Sequence, residues 1–336
     1  MFESSLILIV LVVLLAWTFD FINGFHDTAN AIATSVSTKA LPPRIAVLLA
    51  AFMNFFGAMV FTGVAKTIGG SIADPLNLEH GMYIVTAALI SGITWNLITW
   101  YYGIPSSSSH ALIGSLAGAV IAAVGFNAVN YKGFFTIVEA LLLSPIIAFL
   151  MGFMVMSLIR FVFKNTHPGK LNRRFRLLQI FTAAFQAFSH GTNDAQKSMG
   201  IITFALVAGG IQSNIEVPLW VKVSCALAMA LGTSIGGWKI IKTVGSKIIK
   251  LEPSSGFAAD FSSALIIIIA TFLKLPVSTT HVISSSIMGV GSAKRFSAVK
   301  WGTAEKMVMA WIITLPITII FAAVIYWIMA HFLKLT

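Results

Sequence analysis

Long apolar stretches, separated by short polar segments, run along the whole chain. The runs at 4–19, 45–65 and 307–330 are each long enough to cross a hydrocarbon core of about 30 Å. Helical spans are favoured over a barrel, because barrel strands are short and alternate apolar with polar positions. The pattern therefore predicts an all-α integral membrane protein. The ten predicted spans are 4–22, 43–64, 82–100, 107–125, 135–163, 177–208, 217–237, 257–274, 280–291 and 307–332.

Two of these spans depart from a simple apolar helix. The segment 280–291 is too short to cross alone, and 177–208 is interrupted by the polar sequence SHGTNDAQKS. Polar or short segments at membrane depth are tolerated where they are enclosed by protein. We therefore expect broken or re-entrant helices among the spans.

Composition and charge agree with a membrane protein. Of the 336 residues, 57% are hydrophobic and only 10% charged, whereas soluble domains carry about a quarter charged residues. The net charge of +11 comes largely from basic clusters at 160–176, 239–250 and 294–306. Short basic loops between spans are typical of the cytoplasmic face and of contact with anionic lipid. We therefore expect a multi-pass protein of the cell membrane that contacts the lipid bilayer and does not bind nucleic acid.

The positions of the basic residues also predict an orientation. With ten crossings and the N-terminus outside, the three clusters and the loop containing Lys39 and Arg44 all fall on the inner side. They hold 16 of the 22 Lys and Arg residues. The outer loop at 66–81 is poor in positive charge. The sequence predicts that both termini lie outside.

Two motifs occur twice in the chain. FINGFHDTANA from Phe21 returns as FSHGTNDAQKS from Phe188, and IPSSSSHALIGS from Ile104 returns as LPVSTTHVISSS from Leu275. Five predicted crossings separate equivalent points, and an odd number gives the two halves opposite orientations. The sequence thus predicts inverted repeats at 1–163 and 177–336, joined by a basic cytoplasmic linker at 164–176. Inverted repeats with broken helices are typical of transporters with a central site near the bilayer midplane.

The first motif places acids inside the membrane. A helix beginning near Gly24 would carry Asp27, Asn30 and Thr34 on one face, and Asp194 is the matching acid in the second half. Carboxylates facing lipid are costly, so we expect both to line a hydrated cavity enclosed by protein. The alternative is that each Asp only caps a half-helix.

The second motif clusters hydroxyl groups after Pro105 and Pro276, and proline is favoured in the first turn of a helix. Hydroxyls and free backbone N–H groups at a helix start could bind a tetrahedral oxyanion. Alternatively, they satisfy the backbone of a broken helix or pack against neighbouring helices. His110 and His281 also repeat, and a hydrogen bond that fixes the loop explains them at least as well as ligand contact.

Taken together, FDFINGFHDTANA, WNLITWYYGIPSSSSH, AFSHGTNDAQKSMG, GTSIGGWKI and LPVSTTH resemble the inorganic phosphate transporter (PiT) family over essentially the whole chain. The resemblance implies a symporter of inorganic phosphate with H⁺ or Na⁺ and no resident cofactor. Some bacterial members carry a neutral metal phosphate complex. The substrate site that it implies comprises Asp27, Asn30, Ser107, Ser108, Ser109, Asn193, Asp194, Ser278, Thr279 and Thr280.

The resemblance also implies residues for the coupling cation, namely Asp27, Asp194, Asn54 and Asp260. Asp260 matches an acidic position of animal members, whereas Asn54 aligns with a position that is acidic in them. This departure weakens a Na⁺ site and favours H⁺ slightly. The stoichiometry, a divalent metal travelling with the anion, and a homodimer all stay open.

Other functions fit parts of the pattern. A sulfate permease of the same fold would bind an anion of the same shape, but phosphate keeps a proton that can be donated to a carboxylate. An intramembrane hydrolase is disfavoured, because Ser109 and His110 are adjacent and diverge on a helix, and no G-x-S-x-G sequence occurs. A passive anion channel would conduct without a cation requirement. We expect a transporter rather than an enzyme.

Overall fold

The computed structural model describes residues 2–71 and 80–334, and the described ranges contain helices but no strands. Residues 72–79, which belong to the predicted outer loop, lie outside these ranges, as do the first residue and the last two. Two short 3₁₀ helices, Phe126–Ala128 and Phe296–Ala298, occupy equivalent places in the two halves. The α-helices are α1 (Phe2–Ser37), α2 (Pro43–Val60), α3 (Gly63–Ser71), α4 (Gly81–Tyr102), α5 (Ser108–Val124), α6 (Tyr131–Val162), α7 (Pro168–Ala208), α8 (Leu219–Ile235), α9 (Trp238–Ser246), α10 (Pro253–Phe272), α11 (Thr279–Lys294) and α12 (Trp301–Leu333).

Each of the ten predicted spans coincides with a helix, but not each helix can cross a bilayer. Within residues 2–71 and 80–334, six helices are long and apolar enough, and the pair α8 and α9, which meet at a 73° bend, makes a seventh. With 17 and 16 residues, α5 and α11 are shorter than the roughly 20 residues of a full crossing. The short α11 was predicted from the segment 280–291, whereas the sequence had predicted an ordinary span at 107–125, where α5 lies; these two helices are called the short arms below.

The predicted breaks in the first and sixth spans are wrong. α1 continues unbroken through Gly24, and α7 continues unbroken through Gly191. Both glycines instead allow close helix packing. A Cβ on Gly24 would lie 2.3 Å from the carbonyl oxygen of Met229 on α8, and one on Gly191 would lie 2.3 Å from that of Asn54 on α2. The polar residues that suggested a break are satisfied by neighbouring helices.

The predicted linker is mostly helical. α7 begins at Pro168, so only a short turn at 163–167 separates it from α6. His167 caps α7 by accepting a hydrogen bond from the backbone N–H of Gly169 at 3.2 Å. The division of the chain at this linker stays a prediction, and the basic residues of 170–176 lie on the first turns of α7.

The two halves pack reciprocally. α1 packs on α8 as α7 packs on α2, and α5 packs on α12 as α11 packs on α6. A long-range hydrogen bond from the Trp17 indole to the Ser224 hydroxyl, 2.9 Å, joins α1 to α8. Each repeat therefore completes its core with helices of the other repeat.

The interior is polar at its centre and apolar around it. Buried Asp, Asn, His, Ser and Thr side chains concentrate on α1, α7, α5 and α11, whereas α6 and α12 expose large apolar side chains along their length. An apolar surface of this kind suits contact with lipid tails. The protein is a multi-pass membrane protein whose polar groups lie where its two halves meet.

Candidate functional site

Two carboxylates from opposite repeats meet at the centre of the molecule. Asp27 lies in the middle of α1 and Asp194 in the middle of α7, and both are fully or almost fully buried. One carboxylate oxygen of each, together with a ring nitrogen of His190, lies within 4.8 Å of the others. The two acids therefore meet inside the protein, as expected, whereas a hydrated cavity around them stays a prediction.

Asp27 accepts hydrogen bonds from one imidazole and two hydroxyl groups. Its Oδ1 accepts from the Nδ1 of His26 at 2.7 Å and from the hydroxyl of Thr280 at 3.2 Å. Its Oδ2 accepts from the hydroxyl of Ser108 at 3.1 Å. The other ring nitrogen of His26 lies 3.2 Å from the hydroxyl of Thr99, which fixes the imidazole. No Lys or Arg forms an ion pair with Asp27 among the described residues.

Asp194 has a different environment. The ammonium of Lys197, one turn further along α7, donates to Oδ1 at 2.7 Å, and this lysine is fully buried. Oδ2 accepts from the hydroxyl of Thr279 at 3.2 Å and from the amide of Asn23 at 3.5 Å. His190, one turn earlier, places Nε2 at 3.4 Å from the same oxygen. Asp194 is thus compensated by a fixed cation, whereas Asp27 is not.

The hydroxyl residues of the second motif have different partners. Ser108, Thr279 and Thr280 contact the carboxylates, as described above. Ser107 and Ser278 are the N-caps of α5 and α11 and accept from the backbone N–H groups of His110 and His281. The prolines precede these caps instead of occupying the first helical turn, because the segments that follow them are extended. The predicted helix starts are present, three residues later than the prolines suggested.

Ser109 and Asn193 bind the non-helical segment between α10 and α11. Ser109 donates to the carbonyl of Val277 at 2.8 Å. Asn193 accepts from the N–H of Val277 at 3.2 Å and donates to the hydroxyl of Thr271 at 3.0 Å and the carbonyl of Leu275 at 3.1 Å. These bonds satisfy backbone groups that would otherwise be unpaired at membrane depth. Ser109 and Asn193 therefore stabilise the segment that precedes α11 and do not contact the two carboxylates through these bonds.

Asn30 lies one turn after Asp27 and faces the same hydroxyls. Its amide donates to Thr280 at 2.9 Å and to Thr279 at 3.4 Å, and its Oδ1 is buried without a partner among the described residues. A buried acceptor without a donor is unusual in a folded protein. It leaves one polar group of the site available to a bound ligand or cation.

Two further predicted residues, Asn54 and Asp260, do not touch Asp27 or Asp194 through hydrogen bonds in the described part of the chain. Asn54 binds the hydroxyl of Thr233 and the Nδ1 of His190, each at 3.0 Å, and so reaches Asp194 through that histidine. Asp260 accepts from the hydroxyl of Thr34 at 2.6 Å, one turn beyond Asn30. Their assignment to a coupling cation stays a prediction.

The repeated histidines of the second motif contact each other between the repeats. The rings of His110 and His281 are 4.6 Å apart and tilted by 39°, whereas His281 stacks on Trp311 at 4.1 Å. The Nδ1 of His110 bonds to the hydroxyl of Ser107 at 2.8 Å. These contacts fix the two short arms against each other and against α12.

His190 and Lys197 both belong to the repeated motif, although the motif alone predicted no role for them. They precede and follow Asp194 by four and three residues, spacings that place side chains on one face of a helix. The signal was available, but only if α7 continues through the motif, whereas a break was expected there.

Asp27, His190 and Asp194 converge closely enough to hold a metal ion, each offering one ligand atom. The ammonium of Lys197 occupies the other side of Asp194 and disfavours a second positive charge there. The donor set suits one small cation near Asp27 better than a highly charged metal bound by both acids.

Comparison with known proteins agrees with this architecture. The model of the phosphate transporter family, PHO4, matches residues 23–171 and again residues 163–322. The chain belongs to this family. The double match fits two repeats, and members of the family are transporters rather than enzymes.

Relatives and a solved structure extend the likeness over the whole chain. The "Probable low-affinity inorganic phosphate transporter" of Bacillus subtilis is 62% identical, covering 97% of this chain and 98% of its own. A protein of the same name from Rhizobium meliloti is 46% identical, covering 95% and 96%. The solved structure of "The sodium-dependent phosphate transporter" has a TM-score of 0.87 at 26% identity, covering 96% of this chain and 99% of its own.

Proposed function

We propose that this chain is a secondary active transporter that moves inorganic phosphate across the cell membrane together with a cation. The observation that carries the proposal is the approach of Asp27 and Asp194 to within 4.8 Å inside the protein. Each acid comes from one repeat, and hydroxyl and amide donors from both repeats surround them. Inverted repeats meeting at such a site are typical of secondary transporters.

The carboxylates make phosphate binding conditional. A phosphate held by Ser108, Thr279 and Thr280 would lie beside negative charge in a site that water screens weakly. Protonation of a carboxylate, or a cation bound to it, would remove the repulsion. Because Asp27 lacks a fixed cation, we propose that the mobile coupling cation acts there. Rocking of one repeat against the other would then expose the loaded site to the opposite side.

Phosphate is favoured over sulfate as the substrate on chemical grounds. At neutral pH phosphate retains a proton that it can donate to a carboxylate, whereas sulfate has none. The names of the relatives support the same choice. For the coupling ion we favour H⁺ over Na⁺, because Asn54 offers a neutral amide where the resemblance led us to expect an acid. We also infer that the basic clusters are cytoplasmic and that both termini lie outside.

Uptake of radiolabelled phosphate into liposomes containing the purified protein tests the proposal. We expect accumulation when a pH gradient is imposed alone, with excess sulfate competing weakly. A Na⁺ gradient imposed separately identifies the alternative coupling ion, and a divalent chelator tests for a metal phosphate complex. Liposomes without protein are the control. Uptake that persists after all gradients are collapsed would identify a channel, and equal competition by sulfate would identify a sulfate permease.

A further inference from the structure

The feature that the transport proposal does not use is the lysine at the centre of the membrane. Lys197 is the one buried Lys or Arg among residues 6–68 and 80–334, with no exposed surface. A charged side chain in this position is costly unless it is paired, and such residues in transmembrane segments usually mark an ion or substrate pathway. Its partner is Asp194, at 2.7 Å.

The repeat gives this lysine a counterpart. Asp27 corresponds to Asp194, and by the same offset Asn30 corresponds to Lys197. Both side chains lie one turn after their acid. The first repeat therefore has a neutral amide at the position where the second has an ammonium group. The two halves of the site share geometry but differ by one positive charge.

We propose that Lys197 is a tethered cation that takes the place of a mobile coupling ion at Asp194. The inference rests on the proposed transport function and assigns a specificity role to this residue. Asp194 is compensated at every stage of transport, and only the half of the site around Asp27 exchanges a cation with solution. Lys197 thus lowers by one the number of cations that each phosphate requires.

The local geometry supports this division. The ammonium occupies Oδ1 of Asp194 at 2.7 Å, and Thr279 and Asn23 donate to Oδ2. A mobile cation at this carboxylate would meet an unscreened like charge, because Lys197 is fully buried. At Asp27 the donors are neutral hydroxyls and one imidazole. Lys197 pairs with Asp194 and forms no ion pair with Asp27 in the described part of the chain, so a cation at Asp27 meets a weaker repulsion than one at Asp194.

The decisive variant is Lys197→Asn, which gives the second repeat the residue of the first. Phosphate accumulation at equilibrium is measured in liposomes against imposed H⁺ and Na⁺ gradients of graded size. The slope of accumulation against gradient gives the number of cations per phosphate. We expect the variant to require one more cation per phosphate than the wild type. Lys222→Asn is the matched control, because Lys222 bonds only to the carbonyl of Met59 and lies outside the site.

A purely structural role for Lys197 would lower the amount of folded protein without changing this slope. Folded Lys197→Asn protein with the wild-type slope would therefore overturn the proposal. So would folded protein that transports nothing under any combination of gradients. If wild-type protein fails to transport phosphate, the proposed function itself fails, which separates the two hypotheses.

A second variant covers the case in which Lys197→Asn does not fold. The double substitution Asp194→Asn with Lys197→Asn removes both charges and leaves no buried ion without a partner. Because Asp194 belongs to the site, the rate of uptake is expected to fall; the proposal expects the variant to fold and to need no more cations per phosphate than the wild type, since neither partner exchanges a cation. A folded double variant that needs an additional cation per phosphate contradicts it, and so does one without any gradient-driven uptake. Failure of both variants to fold also counts against it, since the pair would then be indispensable to the structure.

Discussion

Asp27→Asn isolates the charge on which the proposed coupling depends. The amide has the size of the carboxylate, and its oxygen can still accept from His26, Ser108 or Thr280, which contact Asp27 now. What disappears is one negative charge within 4.8 Å of the other acid. A phosphate that bound the hydroxyls of Ser108 and Thr280 in place of the carboxylate would lie at a comparable distance from Asp27.

The magnitude follows from that distance. Two unit charges 4.8 Å apart repel by about 3.5 kcal/mol at an effective dielectric constant of about 20. This energy corresponds to roughly a 300-fold change in affinity, and residual hydration of the site reduces it. We expect phosphate affinity in the absence of a cation gradient to rise by about 10-fold to 300-fold, while gradient-driven accumulation is lost.

Two assays on the same preparation separate these effects. Equilibrium binding of radiolabelled phosphate to the detergent-solubilised variant measures affinity, and uptake into liposomes measures accumulation. Glu252→Gln is a suitable control, because Glu252 is half exposed and pairs with Lys294 away from the site. Full accumulation by Asp27→Asn, driven by the same gradient as the wild type, would refute the coupling role of this carboxylate.

Three further variants test packing, support of the site and orientation. Gly191→Ala should destabilise the fold by about 3 kcal/mol, because the added Cβ would meet the backbone of α2. The loss is measured as a lower thermal midpoint in detergent. Gly302→Ala is the control and should leave the midpoint unchanged, because a Cβ at Gly302 meets open space. Asn193→Ala should cost about 2 to 3 kcal/mol by removing three hydrogen bonds, and unchanged thermal stability would contradict its supporting role. Lys170→Cys should react with a membrane-impermeant maleimide only in permeabilised cells, against a low background because the native Cys225 is buried; labelling of intact cells would reverse the predicted orientation.

The helices and the repeat could be predicted from the sequence because both leave periodic signals. Apolar runs long enough for a span located most of the predicted helices, and the two motifs in register identified the duplication. The pairing of Asp27 with Asp194 followed from the same symmetry. Short helices were also foreseen, since the segment 280–291 contains too few residues for a crossing.

The predicted helix breaks at Gly24 and Gly191 were wrong for a physical reason. Glycine at membrane depth serves either to bend a helix or to let another backbone approach, and the local sequence is the same in both cases. Only the position of α8 or α2 distinguishes them. The actual interruptions occur at the bend between α8 and α9 and before the caps Ser107 and Ser278.

The asymmetry of the site is visible in the motifs, where Lys197 stands at the position of Asn30, but its significance depends on the structure. Repetition suggested that the two acids have equal roles, and Lys197 was visible only as a neighbour in sequence. Its burial and its distance from Asp194 give it significance. The supporting contacts of Asn193 and Asn54 depend on residues far along the chain, so no local pattern could reveal them.

Helices of the first repeat pack on helices of the second, and this packing affects how the chain is made. Trp17 on α1 bonds to Ser224, 207 residues later, and Asp20 on the same helix accepts from Ser198. The ribosome has made neither partner when α1 enters the membrane. We expect the insertion machinery to shelter the acids of α1 until the second half emerges, so that nascent chains truncated before α8 are degraded.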